Sequence, residues 1–144
     1  MKRIGAVLGL VGLSATACVR ADNVKPFRLY DDTADLSQGT ATLIGDIEEI
    51  DGVSVSAHGN RFSVLAGCHT VTNVTTWGGM EPNAAVMAHL PKMPFSMEMK
   101  RDTMYVLRIA IVGAVQEGGR LKVTLREQDA DGNVLREIGP GGHC

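Results

Sequence analysis

From residue 27 to residue 144, apolar and polar positions alternate over short stretches, and no run of ordinary helix length carries a 3.6-residue period. "FSMEMK" sets Phe95, Met97 and Met99 on one face against Ser96, Glu98 and Lys100 on the other. "LKVTLRE" does the same with Leu121, Val123 and Leu125 against Lys122, Thr124 and Arg126. "RFSVLAG" brings Phe62 and Val64 to one face, and "HTVTNVTTW" is rich in the β-branched residues that suit a pleated surface. "MYVLRIAIV" is a nearly continuous apolar run with Arg108 alone in it, as expected of a central strand.

Turn chemistry separates these runs. Asp51-Gly52 lies between "TATLIGDIEEI" and "VSVSA", a strong hairpin signal. A two-residue turn there would put Glu48 on the face of Ile50 and Val55, which calls for a longer loop or a bulge. "DADGNV" turns at Asp131-Gly132. "WGGMEPNAAVMAHLPKMP" breaks the alternation with Gly, Pro and Asn, and reads as a long loop with one helical turn at "NAAVMAHL". The expected fold is all-β: a single β-sandwich of about seven or eight short antiparallel strands, without repeats.

The first residues are of another kind. "MKRIGAVLGLVGLSATACVRAD" opens on Lys2 and Arg3, continues with small and apolar residues from Ile4 to Ala17, too few to span a bilayer comfortably, and then reaches a cysteine. This is the layout of a secretory signal. "SATAC" resembles the lipobox of bacterial lipoproteins, with Ala15, Thr16 and Ala17 before Cys18, although that family more often has Leu three places ahead of the cysteine. The resemblance implies cleavage after Ala17, lipid on Cys18, and membrane attachment at roughly 0.8 kcal/mol per buried methylene. Ordinary signal-peptidase cleavage nearby would instead release a soluble protein. On the lipoprotein reading residues 1–17 are a signal peptide, 18–26 the lipidated cysteine and its tether, and 27–144 the folded domain. Val19 stands in place of the aspartate that resembles an inner-membrane retention signal, which points to the outer membrane.

Of the 14 Lys and Arg, two leave with the signal, so that 12 face 16 Asp and Glu for a mature charge of about −4 with His neutral. The basic residues are scattered singly, without the clustered patch expected of a nucleic-acid partner. Lipidation also turns three cysteines into one pair, Cys68 and Cys144. In an oxidising envelope such a pair most simply forms a disulfide, which would tie down the glycine-rich C-terminal "GPGGHC".

Two metal readings compete with this. Cys68-His69 and His143-Cys144 could supply four zinc ligands, but each pair is adjacent, whereas zinc pairs are usually spaced by two to four residues and neighbours on a strand point to opposite faces. Met80, Met87, Met93, Met97, Met99 and Met104 crowd together near His89, and "HLPKMPFSMEM" looks like the Met-and-His clusters of periplasmic copper binders. Met97 and Met99 nevertheless share the face of Phe95 at strand period, which is how a core is filled. The metal alternative, copper or zinc, therefore rests on His89, Met93, Met97 and Met99, with His69 and the cysteines behind them.

The order "LIGDIEEIDGVSV", "RFSVLAGCHTV", "FSMEMKRDTMYVLRI" resembles a broad group of small bacterial lipoproteins related in layout to PEGA-type β-sandwich modules. The matching features are Ile50-Asp51-Gly52, the turn from Ala66 through Gly67 to Val71, and a tyrosine in a later strand, Tyr105. The resemblance covers roughly Phe27 to Ile138, and Ala66 stands where that group usually has proline. It implies a buried Tyr105 and a non-catalytic envelope domain that binds or supports a protein or glycan.

Other patterns are bland. Ser63, His69 and an acid could be drawn as a triad, but no nucleophile elbow, His-Glu-x-x-His or glycine-rich phosphate loop accompanies them, so no enzyme activity and no cofactor are expected. Asp129, Asp131 and Asn133 have the opening spacing of a calcium loop, yet Pro140 occupies the position of its bidentate glutamate. Asp46, Glu48, Glu49 and Asp51 read as a solvated strand edge. Asn73-Val74-Thr75 is a glycosylation sequon without weight in a bacterium that lacks the transferase. The function expected is that of a non-catalytic, lipid-anchored envelope protein with a binding or structural role; the alternative is a periplasmic metal binder.

Overall fold

A computed structural model of the chain describes residues 25–81, 84–113 and 119–144. The segment expected as a signal peptide, Cys18 and most of the expected tether lie outside the described residues, as do the side chains of Met80 and Met87. The chain is all-β, as the alternation predicts. Its strands are β1 (Phe27–Arg28), β2 (Thr40–Gly45), β3 (Ile47–Ile50), β4 (Val53–Ser54), β5 (Arg61–Leu65), β6 (Gly67–Asn73), β7 (Thr76–Glu81), β8 (Ala84–His89), β9 (Pro94–Met99), β10 (Met104–Val112), β11 (Arg120–Gln128) and β12 (Val134–Ile138). A six-stranded sheet runs β1-β5-β2-β10-β11-β12, a four-stranded sheet runs β4-β3-β6-β9, and β7 with β8 forms a separate hairpin. Both larger sheets feed one core: Leu43, Phe62, Tyr105, Leu107 and Leu125 from the first meet Ile47, Ile50, Val71, Phe95 and Met99 from the second.

The strands are more numerous than the turn spacing predicts, because "TATLIGDIEEI", read as one run, divides between the sheets and the segment expected as a loop supplies β7 and β8. "TATLIGDIEEI" is β2 in the six-stranded sheet and β3 in the four-stranded one. "RFSVLAGCHTVTN" is divided in the same way into β5 and β6. The first switch occurs at Gly45, where φ is +127° and β2 pairs in parallel with β10, Gly45 opposite Leu107. A Cβ at Gly45 would overlap the Leu107 carbonyl oxygen, so a side chain is excluded by backbone contact as well as by φ. This parallel pairing, and that of β1 with β5, depart from the wholly antiparallel expectation, because strands that have switched sheets return beside partners distant in sequence.

The Asp51-Gly52 signal is confirmed in detail. Ile50 pairs with Val53, and Asp51 and Gly52 take φ of +50° and +79°, the two left-handed residues of a type I′ turn. The register conflict at Glu48 is resolved by a bulge: pairing of β3 with β6 shifts between Ile47 and Glu49, so Ile47 and Ile50, three positions apart, are both buried.

The segment expected as a long loop with a helical turn is instead the β7–β8 hairpin, paired from Thr76 with His89 to Glu81 with Ala84. Its Ala and Met residues have good helix propensity, but strand pairing overrides that weak local preference. Asn73 of the sequon is fully buried, and its amide donates to the carbonyls of Val74 and Pro91 and accepts from the Met93 N–H. Its side chain is therefore a structural tie, closed to modification in the folded domain.

Tyr105 is fully buried, as the resemblance implied, and its hydroxyl accepts the Lys100 N–H at 2.8 Å and donates to the Glu98 carbonyl at 3.5 Å. Burial, with a smaller contribution from the Glu127 charge, raises its ionisation above the usual tyrosine range.

Two predictions follow from these contacts. Gly45→Ala lowers stability by at least about 3 kcal/mol in urea denaturation, since neither φ nor the Leu107 carbonyl can yield cheaply. Tyr105→Phe, which leaves the Lys100 N–H unpaired, costs about 1–2 kcal/mol at neutral pH. The native state holds the Tyr105 proton to higher pH than the unfolded chain does. Its contribution is therefore complete below about pH 10 and is lost as pH rises through the raised native value. Denaturation followed into alkaline pH accordingly shows a shallower loss of stability for Tyr105→Phe than for the unmodified chain.

Candidate functional site

β9 ends the four-stranded sheet and β12 ends the six-stranded sheet, so the sandwich has an open side between them. The chain leaves β12 and crosses this gap. Gly141 donates its N–H to the Pro94 carbonyl at 2.7 Å and accepts the Ser96 N–H at 2.9 Å, extending β9 by one parallel bridge. The tail then passes over β9 to its neighbour β6, where Cys144 and Cys68 lie at disulfide distance with Cα atoms 5.7 Å apart, inside the usual range. The bend at Gly142 is tight: a Cβ there would press on the Ser96 carbonyl oxygen.

Between tail, β9 and β12 lies a cavity of about 470 Å³, lined by Ser96, Met97 and Glu98 of β9, Arg136 and Ile138 of β12, and the tail from Gly139 to His143. That volume falls within the range of small-ligand sites, roughly 300–1,000 Å³. The Ser96 hydroxyl is engaged with Thr70 Oγ1 at 2.8 Å.

Behind the cavity stands a charge cluster. Glu127 follows Leu125 on the inward face of β11, and its side chain is only 2 % exposed. Arg136 Nε donates to its Oε2 at 2.5 Å, and Lys100 Nζ to its Oε1 at 3.3 Å. Removing a carboxylate from water is costly unless both oxygens are satisfied by cations or donors, and here they are. The consequence is an arginine anchored through Nε with half of its side chain in solvent. Glu98, on the cavity wall, is exposed and has no ion-pair partner among the described residues.

The residues singled out from the sequence are spread over the molecule. Cys68 and Cys144 come together as expected, and Cys18 lies outside the described residues. Met97 and Met99 are buried beside Phe95, Met93 packs against the same core, and His89 is exposed at the end of β8. His69 sits beside the disulfide. Its Nδ1 meets Asp51 Oδ2 at 2.6 Å and its Nε2 meets the Leu65 carbonyl at 2.7 Å, so both ring nitrogens already face protein oxygens. Asp51 Oδ1 accepts the Thr70 N–H as well, which fastens the β3–β4 turn to β6. Among the described residues no three His, Cys, Asp or Glu side chains approach closely enough to hold a metal ion.

The acidic set does not converge either: Glu49 pairs with Lys92 at 2.7 Å and Asp51 with His69, while burial raises Asp46 against the opposing pull of Arg108. Asp129 closes its own hairpin, accepting the backbone N–H groups of Asp131 and Asn133 and the Asn133 amide, which holds its carboxyl below the usual range. It acts as a turn residue, as the Asp131-Gly132 hairpin reading expects.

Sequence reasoning missed Glu127, Arg136 and Glu98. The signal was present in "LKVTLRE": the alternation that turns Leu121, Val123 and Leu125 inward turns Glu127 inward too, and a charge at an inward position demands partners. Comparison with protein-family models, curated proteins and solved structures finds no match.

The disulfide spans 76 residues, and its loss costs about 2–4 kcal/mol of global stability by chain entropy. The tail itself holds to β9 by one bridge, so Cys144→Ser detaches the tail locally while the sheets persist. Hydrogen exchange is expected to show fast exchange at Ser96 and Gly141 in this variant with protection retained at Leu107 and Leu125.

Proposed function

We propose that this chain is a non-catalytic, lipid-anchored domain of the bacterial envelope, held on the outer membrane through Cys18, that binds its ligand in the cleft between β9, β12 and the C-terminal tail. The observation that carries the binding reading is the tail: six residues leave the sandwich, add a bridge to β9 and reach Cys68, and what they enclose is a cavity flanked by an anchored arginine and a free carboxylate. The envelope placement is supported by the secretory layout of the first residues, by the lipobox-like "SATAC", and by a cysteine pair suited to an oxidising compartment. The resemblance of the motif order "LIGDIEEIDGVSV", "RFSVLAGCHTV", "FSMEMKRDTMYVLRI" to PEGA-type lipoproteins supports a binding or supporting role.

Two measurements test this reading. Intact mass of the protein taken from its own membranes, without reductant and after alkylation of free thiols, is expected to show a chain starting at Cys18 with acyl mass and two hydrogens fewer than the dithiol form. An unlipidated chain with two alkylated thiols rules the anchor and the clasp out. In the second, amide signals of Ile138, Gly139 and Gly141 are expected to shift when a small-molecule extract of the same cell envelope is added. No shift there, with the fold intact, overturns the binding role of the cleft.

A further inference from the structure

We propose that the cleft recognises a small zwitterion, taking its carboxylate with Arg136 and its ammonium with Glu98. The inference rests on the reading of the cleft as a binding site and specifies what it binds.

Arg136 is prepared for the first contact. Its Nε is committed to Glu127, a carboxylate buried behind it, and this fixes the plane of the guanidinium. Among the described residues no carboxylate other than Glu127 pairs with it, and half of the side chain is exposed on the cavity wall. The terminal nitrogens of an arginine held in this way form a preorganised fork that matches a carboxylate.

Glu98 supplies the opposite sign. It is exposed on β9, lines the same cavity, and forms no ion pair among the described residues. The cavity lining thus contains one arginine, Arg136, and one carboxylate, Glu98, so a molecule with both signs finds a partner for each end. The remaining walls agree with a small polar ligand. Met97 and Ile138 provide limited apolar contact, and Gly139, Gly141 and Gly142 let a ligand approach the backbone without side chains in the way.

The test titrates the full mature protein in detergent micelles with alanine, alanylalanine, N-acetyl-alanylalanine and alanylalanine amide, by calorimetry and amide shifts. Alanine carries both charges on one carbon and alanylalanine carries them across a peptide bond, so the two arms separate a free amino acid from a peptide with free ends. Binding of either as a zwitterion supports the proposal. Each capped form, which lacks one charge, is expected to bind about fivefold or more weakly. Glu98→Gln removes no fold contact seen here; it is expected to weaken alanylalanine while leaving the N-acetyl form unchanged. Arg136→Lys keeps a cation beside Glu127 but loses the fork, and is expected to weaken alanylalanine and the N-acetyl form while leaving the amide form unchanged. Thermal melts of both variants establish that the fold is retained.

Capped forms that bind as well as the uncapped ones, or variants that weaken all ligands alike, overturn the zwitterion. If the envelope extract shifts the cleft signals while neither alanine nor alanylalanine does so at millimolar concentration, the zwitterion is overturned and the cleft remains a binding site for another chemistry. If nothing shifts them, both readings fall.

Discussion

The contact between Gly45 and the carbonyl of Leu107 is the constraint around which this domain is arranged. It lets β2 lie against β10 and then lets the chain leave the six-stranded sheet for the four-stranded one within two residues. β5 and β6 make the same change of sheet, so two runs of the chain pass directly from one layer to the other, and the layers close over one core. Strands that continue from one sheet into the next must bend sharply, and a residue without a side chain makes that bend possible where two backbones meet.

The same arrangement leaves one side open. Continuity between the sheets is provided on the β2–β3 and β5–β6 side, whereas β9 and β12 end their sheets without a shared strand. Exposed strand edges invite unwanted pairing, and covering them with a segment of the same chain is one way to manage it. Here the C-terminal tail does so by a single bridge and a covalent link, and a half-open cleft lies between tail, β9 and β12.

Glu127 gives that cavity its chemistry. A buried carboxylate contributes little to stability compared with an apolar side chain of the same size, since the desolvation cost offsets most of the attraction. What it provides is orientation: Lys100 and Arg136 are drawn to fixed positions, and Tyr105 beside it keeps its proton through burial.

Local pattern was sufficient for much of the fold. Strict alternation placed Phe95, Met97, Met99, Val123 and Leu125 inside, Asp51-Gly52 turned where it should, and cysteine count with a secretory start paired Cys68 with Cys144. These features depend on neighbours in sequence or on simple arithmetic, so they are legible before folding. Tertiary structure alone decided which sheet each strand joined, why "NAAVMAHL" pairs as a strand, and that Glu98 and Arg136 face one cavity. The physical reason is that strand pairing and cavities are made by segments far apart in the chain. No local period records which distant backbone will supply the hydrogen bonds, or which distant residues will line one cavity when the sheets close.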